Sequence, residues 1–372
     1  MTRILLVSNG HGEDAIATHI YTALRPLGTY TFHAFPLVGQ GLAYLNHSIT
    51  PLINNPLFPS GGFIRGAKDF IKDANNGIIS HTYHQLKLAK KINKKIDIII
   101  CIGDVFCLLI GSLGFKGPVF FIPSAKSDTF MPHSWIEKYW IKRTCKATFA
   151  RDKQTATGLS KSGITSPFFG NPMMDGLQST GETFGFTDNQ QVIGILPGSR
   201  QEAYENLLFC LSCIEAYHKH SPNSGYVCAL APSLCLSTLQ KTLKYHPWHV
   251  DISTQTLRHV SDPIHIRLSH QFINVVHRSN ALIGLSGTAN EQAVFMGKQV
   301  VCFEGFGPQT TLKRFREQQQ LLGKGLHLVE PRDVQKIIQT LHTITQIPPL
   351  PSPPVQHASD DIAQYIHAYL NT

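Results

Sequence analysis

Two segments of this 372-residue chain carry residue types that bind phosphate. Ile193-Gly194-Ile195-Leu196-Pro197-Gly198-Ser199-Arg200 is an apolar strand running into a glycine turn, with a helical stretch next. That order puts Ser199, Arg200 and unpaired backbone amides at a helix start on the carboxyl edge of a sheet. An anion is favoured there by the free N–H groups and the helix dipole. Arg200 adds a forked, charge-assisted pair. An ordinary strand–turn–helix corner with Arg200 in water is the plain alternative. Ala281-Leu282-Ile283-Gly284-Leu285-Ser286-Gly287-Thr288-Ala289-Asn290-Glu291 repeats the architecture. Ser286, Gly287 and Thr288 would open a helix whose amides cradle a second phosphate oxygen. Glu291 stands about one helical turn beyond Gly287, where a carboxylate can accept both hydroxyls of a ribose. Capping by Ser286 or Thr288 fits the same residues and is compatible with binding.

The first half offers a different set. Asn9-Gly10-His11-Gly12-Glu13-Asp14 follows the first apolar strand and opens a helix, without the G-x-G-x-x-G spacing of a dinucleotide site. Gly10 and Gly12 permit close approach of a ligand, and His11, Glu13 and Asp14 supply titratable groups. A dipole-friendly first turn is the plain reading of Glu13 and Asp14. Asp104 ends Cys101-Ile102-Gly103-Asp104, the most apolar strand of this half. Partial desolvation there raises a carboxylate's basicity and suits a general base; an N-cap is the alternative. Phe130–Arg143 mixes aromatics with Lys and Arg, as membrane-interface segments do, and Lys87–Lys95 holds five lysines. Core packing for Trp135 and Trp140, and a solvated face for the lysines, are the bland counterparts.

These residues need sheets to position them. Strands are predicted at 3–8, 30–36, 96–102, 118–122, 147–150 and 166–169, with helices at 13–26, 64–92 (broken near Gly77), 105–113, 134–144 and 152–162. After Gly170-Asn171-Pro172 the alternation restarts. Strands are expected at 192–196, 225–230, 281–285 and 299–303, and helices at 201–219, 233–244, 267–278, 288–296, 308–321 and 332–345. Such alternation argues for doubly wound parallel sheets. The fold class is therefore α/β: a Rossmann-like domain over 1–172, a second over 173–347, and a Pro-rich linker with a tail helix over 348–372. Ser359 is the expected cap of that helix, and a cleft between the domains is the default ligand site.

Charge divides unevenly. Residues 1–175 hold 19 Lys and Arg against 10 Asp and Glu, whereas residues 176–372 hold 14 of each. The basic half suits an anionic surface or substrate. No RRM, KH or helix-turn-helix signature is visible, so nucleic acid is not an expected partner. Eight scattered cysteines, with Cys210 and Cys213 on one helical stretch, read as buried thiols in a reducing compartment. No signal peptide or membrane span is read, which predicts a cytoplasmic protein, peripheral at the inner membrane face if the aromatic–basic segment is used.

Together these segments resemble lipid-A-disaccharide synthase, and more closely a bacterial family related to that synthase. Pro59-Ser60-Gly61-Gly62-Phe63, Gly170-Asn171-Pro172-Met173-Met174-Asp175, Gly287-Thr288-Ala289-Asn290-Glu291-Gln292-Ala293 and Gly307-Pro308-Gln309 carry the resemblance, which runs from Ser8 to about Leu328. It implies a GT-B fold with the tail helix returning to the first domain. It also implies inverting transfer from a UDP-sugar to a lipid or lipid-linked acceptor, without metal or cofactor. Asp104, in Asp104-Val105-Phe106, stands where the synthase has its catalytic Asp, and His11 is the second candidate base. Gly10, Gly12 and Glu13 would then face the acceptor. Ser199, Arg200, Ser286, Gly287, Thr288, Glu291 and Gln292 would hold the donor, with Arg200 also stabilising the leaving diphosphate. The chain departs from the synthase in three places. The Gly-Glu-x-Ser-Gly-Asp loop is replaced by Asn9–Asp14. Asn171 replaces His. Gln292 stands where the synthase has its helix-start Glu, one residue after Glu291. A UDP-sugar epimerase or hydrolase, and a non-catalytic nucleotide-sugar-binding protein, fit the same elements.

Overall fold

The computed structural model describes residues 1–53, 78–92, 96–308, 310–351 and 357–372, with the side chains of residues 11, 78–83 and 92 also outside the description. The Pro59–Phe63 motif, the expected helix before Ile78 with its break at Gly77, Lys94, Lys95, Gln309, Ser352–Pro354 and the His11 side chain therefore lie outside the described residues. The chain divides into two units, Met1–Gly176 with Val355–Thr372, and Leu177–Pro354.

In the first unit, β1 (Thr2–Ser8), β2 (Tyr30–Pro36), β3 (Ile98–Gly103), β4 (Val119–Pro123) and β5 (Cys145–Thr148) form a parallel sheet in the order β2-β1-β3-β4-β5. Every residue of β3 is buried, as expected of a sheet covered on both faces. Helices α1 (His11–Leu24), α2 (Leu42–Asn46), α3 (Ile78–Ile92), α4 (Val105–Gly114), α5 (Trp135–Thr144) and α6 (Lys153–Lys161) fill the connections. Strand order reverses between β1 and β3. Their carboxyl ends thus open a crevice of the kind where such sheets bind ligands.

The second unit repeats the scheme on a larger scale. Its strands are β6 (Val192–Leu196), β7 (Gly225–Ala229), β8 (Trp248–Asp251), β9 (Thr256–His259), β10 (His265–Ser269), β11 (Ala281–Gly284), β12 (Gln299–Phe303) and β13 (Leu326–Val329). They run in the order β13-β12-β11-β6-β7-β10-β9-β8, with β9 antiparallel to both its neighbours. The accompanying helices are α7 (Ala203–His220), α8 (Leu236–Thr242), α9 (Phe272–Arg278), α10 (Thr288–Phe295), α11 (Leu312–Leu322) and α12 (Val334–Thr345). Here the switch point lies between β6 and β11.

The tail helix α13 (Ala358–Leu370) belongs to the first unit and packs on α1. Tyr369 meets Phe120 edge-on at 5.3 Å and Tyr365 meets Phe149 at 5.4 Å. With the tail included, the first unit holds 19 Lys and Arg against 12 Asp and Glu, so it remains the basic one. The cap of α13 is not Ser359. The Asp175 carboxylate accepts from the amides of Ala358 (3.1 Å) and Ser359 (2.6 Å) across 183 residues of chain. A carboxylate facing two first-turn amides is a strong form of N-cap, because charge assists both bonds. Asp175→Ala should cost about 1–3 kcal/mol and loosen the tail. Thermal unfolding and proteolysis of the tail would register it; an unchanged melting curve would remove Asp175 from this role.

Several expected elements are shifted. Residues 166–169 form no strand. After one bond between the Thr148 amide and the Thr165 carbonyl, Pro167 has no N–H to extend a ladder. The helix expected over 267–278 is β10 followed by α9, and β8, β9 and β13 were absent from the sequence reading. β8 and β10 alternate buried and exposed positions, so histidine, arginine and aspartate interrupt their apolar pattern.

Candidate functional site

The carboxyl edge of the second sheet brings both phosphate-type segments together. β6 and β11 are adjacent and parallel, and the Leu285 amide donates to the Leu196 carbonyl at 2.8 Å just beyond them. Gly198 has φ +111°, and a Cβ there would lie 3.3 Å from the Leu285 carbonyl oxygen, so this crossing requires glycine. Pro197 is buried while Ser199 and Arg200 are half-buried. α7 begins at Ala203, so Ser199 and Arg200 lie in the loop before the helix and not in its first turn. α10 begins at Thr288 with Gly287 as N-cap, so neither Ser286 nor Thr288 caps it. Neither α7 nor α10 has a side-chain cap; at the start of α7 the Ala203 and Tyr204 amides donate to the Arg200 and Gln201 carbonyls, whereas the first turn of α10 presents its amides to an acceptor from elsewhere. Glu291 is in the first turn of α10 and is half-buried, as is Gln292.

Three residues that the sequence reading passed over brace these loops. Asn206, buried on α7, donates to the Pro197 carbonyl (3.4 Å) and accepts from the Phe306 amide (2.7 Å). Gln318 donates to the Gly287 carbonyl at 2.7 Å and accepts from Asn290 at 3.2 Å. Ser233 donates to the Ser199 carbonyl at 2.6 Å, tying in the loop after β7. Their sequence neighbours are unremarkable, so only the packing identifies them.

In the first unit, the switch point gathers acidic groups. Glu13 is buried and accepts from Ser124 Oγ at 3.0 Å, which links α1 to the end of β4. The Ser124 amide donates to the Gly103 carbonyl (3.1 Å), and Arg151 donates to the Ser124 carbonyl (3.0 Å). Asp104 is the N-cap of α4 and accepts from the Cys107 amide at 3.0 Å. Its capping role therefore exists, and a carboxylate has lone pairs beyond the one that bond uses. Gly10 is the buried N-cap position of α1, Gly12 is half-buried in its first turn, and the backbone of His11 begins the helix.

Asp14 is the residue of this loop that the sequence undervalued. It is buried, and Ser8 Oγ donates to its Oδ1 at 2.6 Å. Ser8 has one proton to give, so the buried Tyr44 hydroxyl, 2.6 Å away, donates to Ser8 in turn. Asp14 Oδ2 and both amide atoms of the fully buried Asn9 have no hydrogen-bond partner among the described residues. Burial, with the neighbouring Glu13 charge adding to it, pushes the Asp14 carboxyl up to about 7, against the opposing Ser8 bond.

Helix α5 divides its aromatics. Trp140 packs against the core, whereas Trp135 is 78% exposed, contrary to the core reading for both. Ile136 and Tyr139 are exposed beside it, with Lys142 and Arg143 also at the surface. Ser134 and Glu137 close a capping box that fixes the start of this helix. No helix among the described residues is long and apolar enough to cross a membrane. The eight cysteines are all free thiols; six are buried, Cys145 is half-buried and Cys235 exposed.

No protein-family model matches this chain, and no curated protein matches it. Solved structures do. The UDP-GlcNAc 2-epimerase from Neisseria meningitidis bound to UDP-GlcNAc is 16% identical, with a TM-score of 0.62 over 100% of both chains. The UDP-GlcNAc 2-epimerase from Methanocaldococcus jannaschii is 14% identical, with a TM-score of 0.60 over 99% of this chain and 100% of that one. The calicheamicin glycosyltransferase CalG4 is 12% identical, with a TM-score of 0.64 over 100% of this chain and 98% of that one. The shared property is the fold: two Rossmann-like α/β units, the GT-B architecture.

Proposed function

We propose that the chain is an inverting, metal-independent glycosyltransferase, similar to lipid-A-disaccharide synthase, that moves a sugar from a UDP-sugar to a lipid or lipid-linked acceptor. The observation that carries the reading is the adjacency of the Pro197–Arg200 and Ser286–Glu291 segments at the switch point of the second sheet. The uncapped start of α10, the glycine turn before α7 and a guanidinium at one edge suit a diphosphate whose charge grows as the sugar leaves. Ser199 and Arg200 then hold the diphosphate. Gly287 and Thr288 hold a phosphate oxygen, and Glu291, with Gln292 beside it, faces the ribose. The first unit supplies the acceptor side. Asp104 takes the proton from the acceptor hydroxyl, with His11 as second choice, and Gly10, Gly12 and Glu13 line the approach. The exposed Trp135, Ile136 and Tyr139, set among Lys142 and Arg143, support a lipid acceptor drawn from an anionic membrane surface.

Arg200→Ala should slow turnover at least tenfold, a loss of more than about 1.4 kcal/mol of transition-state stabilisation. A near-normal rate would take Arg200 out of the mechanism. The overall reading is tested by screening UDP-sugars for thermal stabilisation, then adding lipid extract and seeking a new glycolipid by mass spectrometry. An epimer or free sugar formed without lipid would favour a UDP-sugar epimerase or hydrolase, the activity of several enzymes of similar fold being UDP-GlcNAc 2-epimerisation. UDP affinity without turnover on any acceptor would indicate a binding protein.

A further inference from the structure

The start of α10 is fastened through a carbonyl and not through an amide. A capping side chain would accept from the first-turn N–H groups and occupy them. Here the N-cap is Gly287, which has no side chain to offer. Gln318, on α11, instead donates to the Gly287 carbonyl at 2.7 Å, a shorter bond than the 3.3 Å one that the same carbonyl accepts from the Glu291 amide. Gln318 is only 9% exposed, so water competes little for that bond. Its direction is forced. The Gly284 carbonyl, at the end of β11, can only accept, and Asn290 Nδ2 lies 3.1 Å from it. The buried Asn290 therefore turns its nitrogen toward Gly284 and gives its second proton to Gln318 Oε1 at 3.2 Å. With Oε1 accepting, Gln318 has its NH₂ group left for Gly287. A Cβ at Gly284 would stand 2.1 Å from Asn290 Oδ1, so this relay requires glycine there.

Peptide planarity carries the effect to the next amide. The C=O and N–H of one trans peptide point opposite ways. Holding the Gly287 carbonyl toward Gln318 thus aims the Thr288 amide away from it. The device recurs twice at this edge. Asn206 holds the Pro197 carbonyl at 3.4 Å and Ser233 holds the Ser199 carbonyl at 2.6 Å, which directs the Gly198 and Arg200 amides in turn. All three side chains grip carbonyls, and none takes an amide of the two phosphate-type segments. A carbonyl oxygen facing a phosphate repels it, whereas an amide attracts it.

We propose that Gln318 is a positioning residue for the diphosphate. It turns the Thr288 amide toward the anion, and Asn206 and Ser233 do the same for the Gly198 and Arg200 amides. The proposal rests on the nucleotide-sugar reading and deepens it, by assigning the preorganisation of the phosphate-facing amides to side chains from α7, α11 and the loop after β7.

The test is calorimetric titration of the full-length protein with UDP and, separately, with uridine, which keeps base and ribose and has no phosphate. Gln318→Leu should weaken UDP binding roughly tenfold, the size of one hydrogen bond to a charged group, and leave uridine affinity within about twofold. Gln318→Glu cannot donate while ionised and can when protonated. Its UDP affinity, relative to the parent at the same pH, should therefore recover as pH falls, with burial moving that titration upward. Ser233→Ala, at an exposed position where folding is not at risk, should weaken UDP in the same direction and decides the matter if the Gln318 variants do not fold. Unchanged UDP affinity in Gln318→Leu, or in Ser233→Ala where that variant decides, overturns the proposal. Equal loss of UDP and uridine overturns it as well, because Gln318 then only supports the fold. A parent protein that binds neither ligand sinks the nucleotide-sugar reading itself.

Discussion

An Asp104→Asn protein is expected to lose roughly 10²–10⁴-fold in sugar transfer while binding UDP as the parent does. The substitution is informative because of what it preserves. Asp104 caps α4 through one oxygen, 3.0 Å from the Cys107 amide. Asparagine is as good an N-cap as aspartate, so its carbonyl oxygen can keep that bond and the helix start. What it cannot do is accept a proton from an acceptor hydroxyl. Asp104→Ala supplies the complement, since it loses both the cap, worth about 1 kcal/mol, and the base. If the two variants are equally inactive but only the alanine form melts early, the carboxylate acts in chemistry. Single-turnover transfer and calorimetric UDP titration read the two sides separately. Loss of UDP affinity in the asparagine variant would make Asp104 a structural residue and shift the base role to His11.

The sequence was most legible where burial is complete. β6 and β12 coincide with the predicted spans, because strands covered on both faces become nearly unbroken apolar runs. It was least legible at the antiparallel edge of the second sheet. There β8 and β10 expose alternate residues, so His249, His265 and Arg267 dilute the signal. The site divides in the same way. Gly198 and Gly287 could be found because a glycine between an apolar strand and a helix is a local pattern. Asn206, Gln318 and Ser233 could not, since their partners lie on other loops and only the folded sheet edge brings them into reach. The tail helix makes the same point. Ser359 had the right local chemistry for a cap, but Asp175 reached the amides first from a position remote in sequence. A local rule was overridden by a charged competitor with better geometry.

Asp14 gives the second large effect, and it is one of stability against pH. Its folded-state carboxyl titrates near 7, whereas an unfolded carboxyl titrates near 4. Between those values the folded chain holds a proton that the unfolded chain has released. Stability therefore falls as pH rises from about 4 to about 7, and the full cost stands above 7. The difference between about 7 and about 4 corresponds to roughly 4 kcal/mol, a net figure in which the opposing Ser8 bond is already counted. Asp14→Asn is a neutral isostere that still offers Ser8 an acceptor. It should be more stable than the parent by on the order of 3 kcal/mol at pH 8, with the difference disappearing near pH 4. Denaturant unfolding of both proteins across that interval measures it. Parallel pH curves would show that Asp14 titrates alike in the folded and unfolded chains. A variant less stable than the parent at pH 8 would mean that the carboxylate is stabilised by its surroundings. A buried acid that costs stability at neutral pH, beside Asn9 and at the same sheet edge as Asp104, is retained against the folding energy. Stability–function trade-offs concentrate at such positions, so the stabilised Asp14→Asn protein is expected to be the slower enzyme.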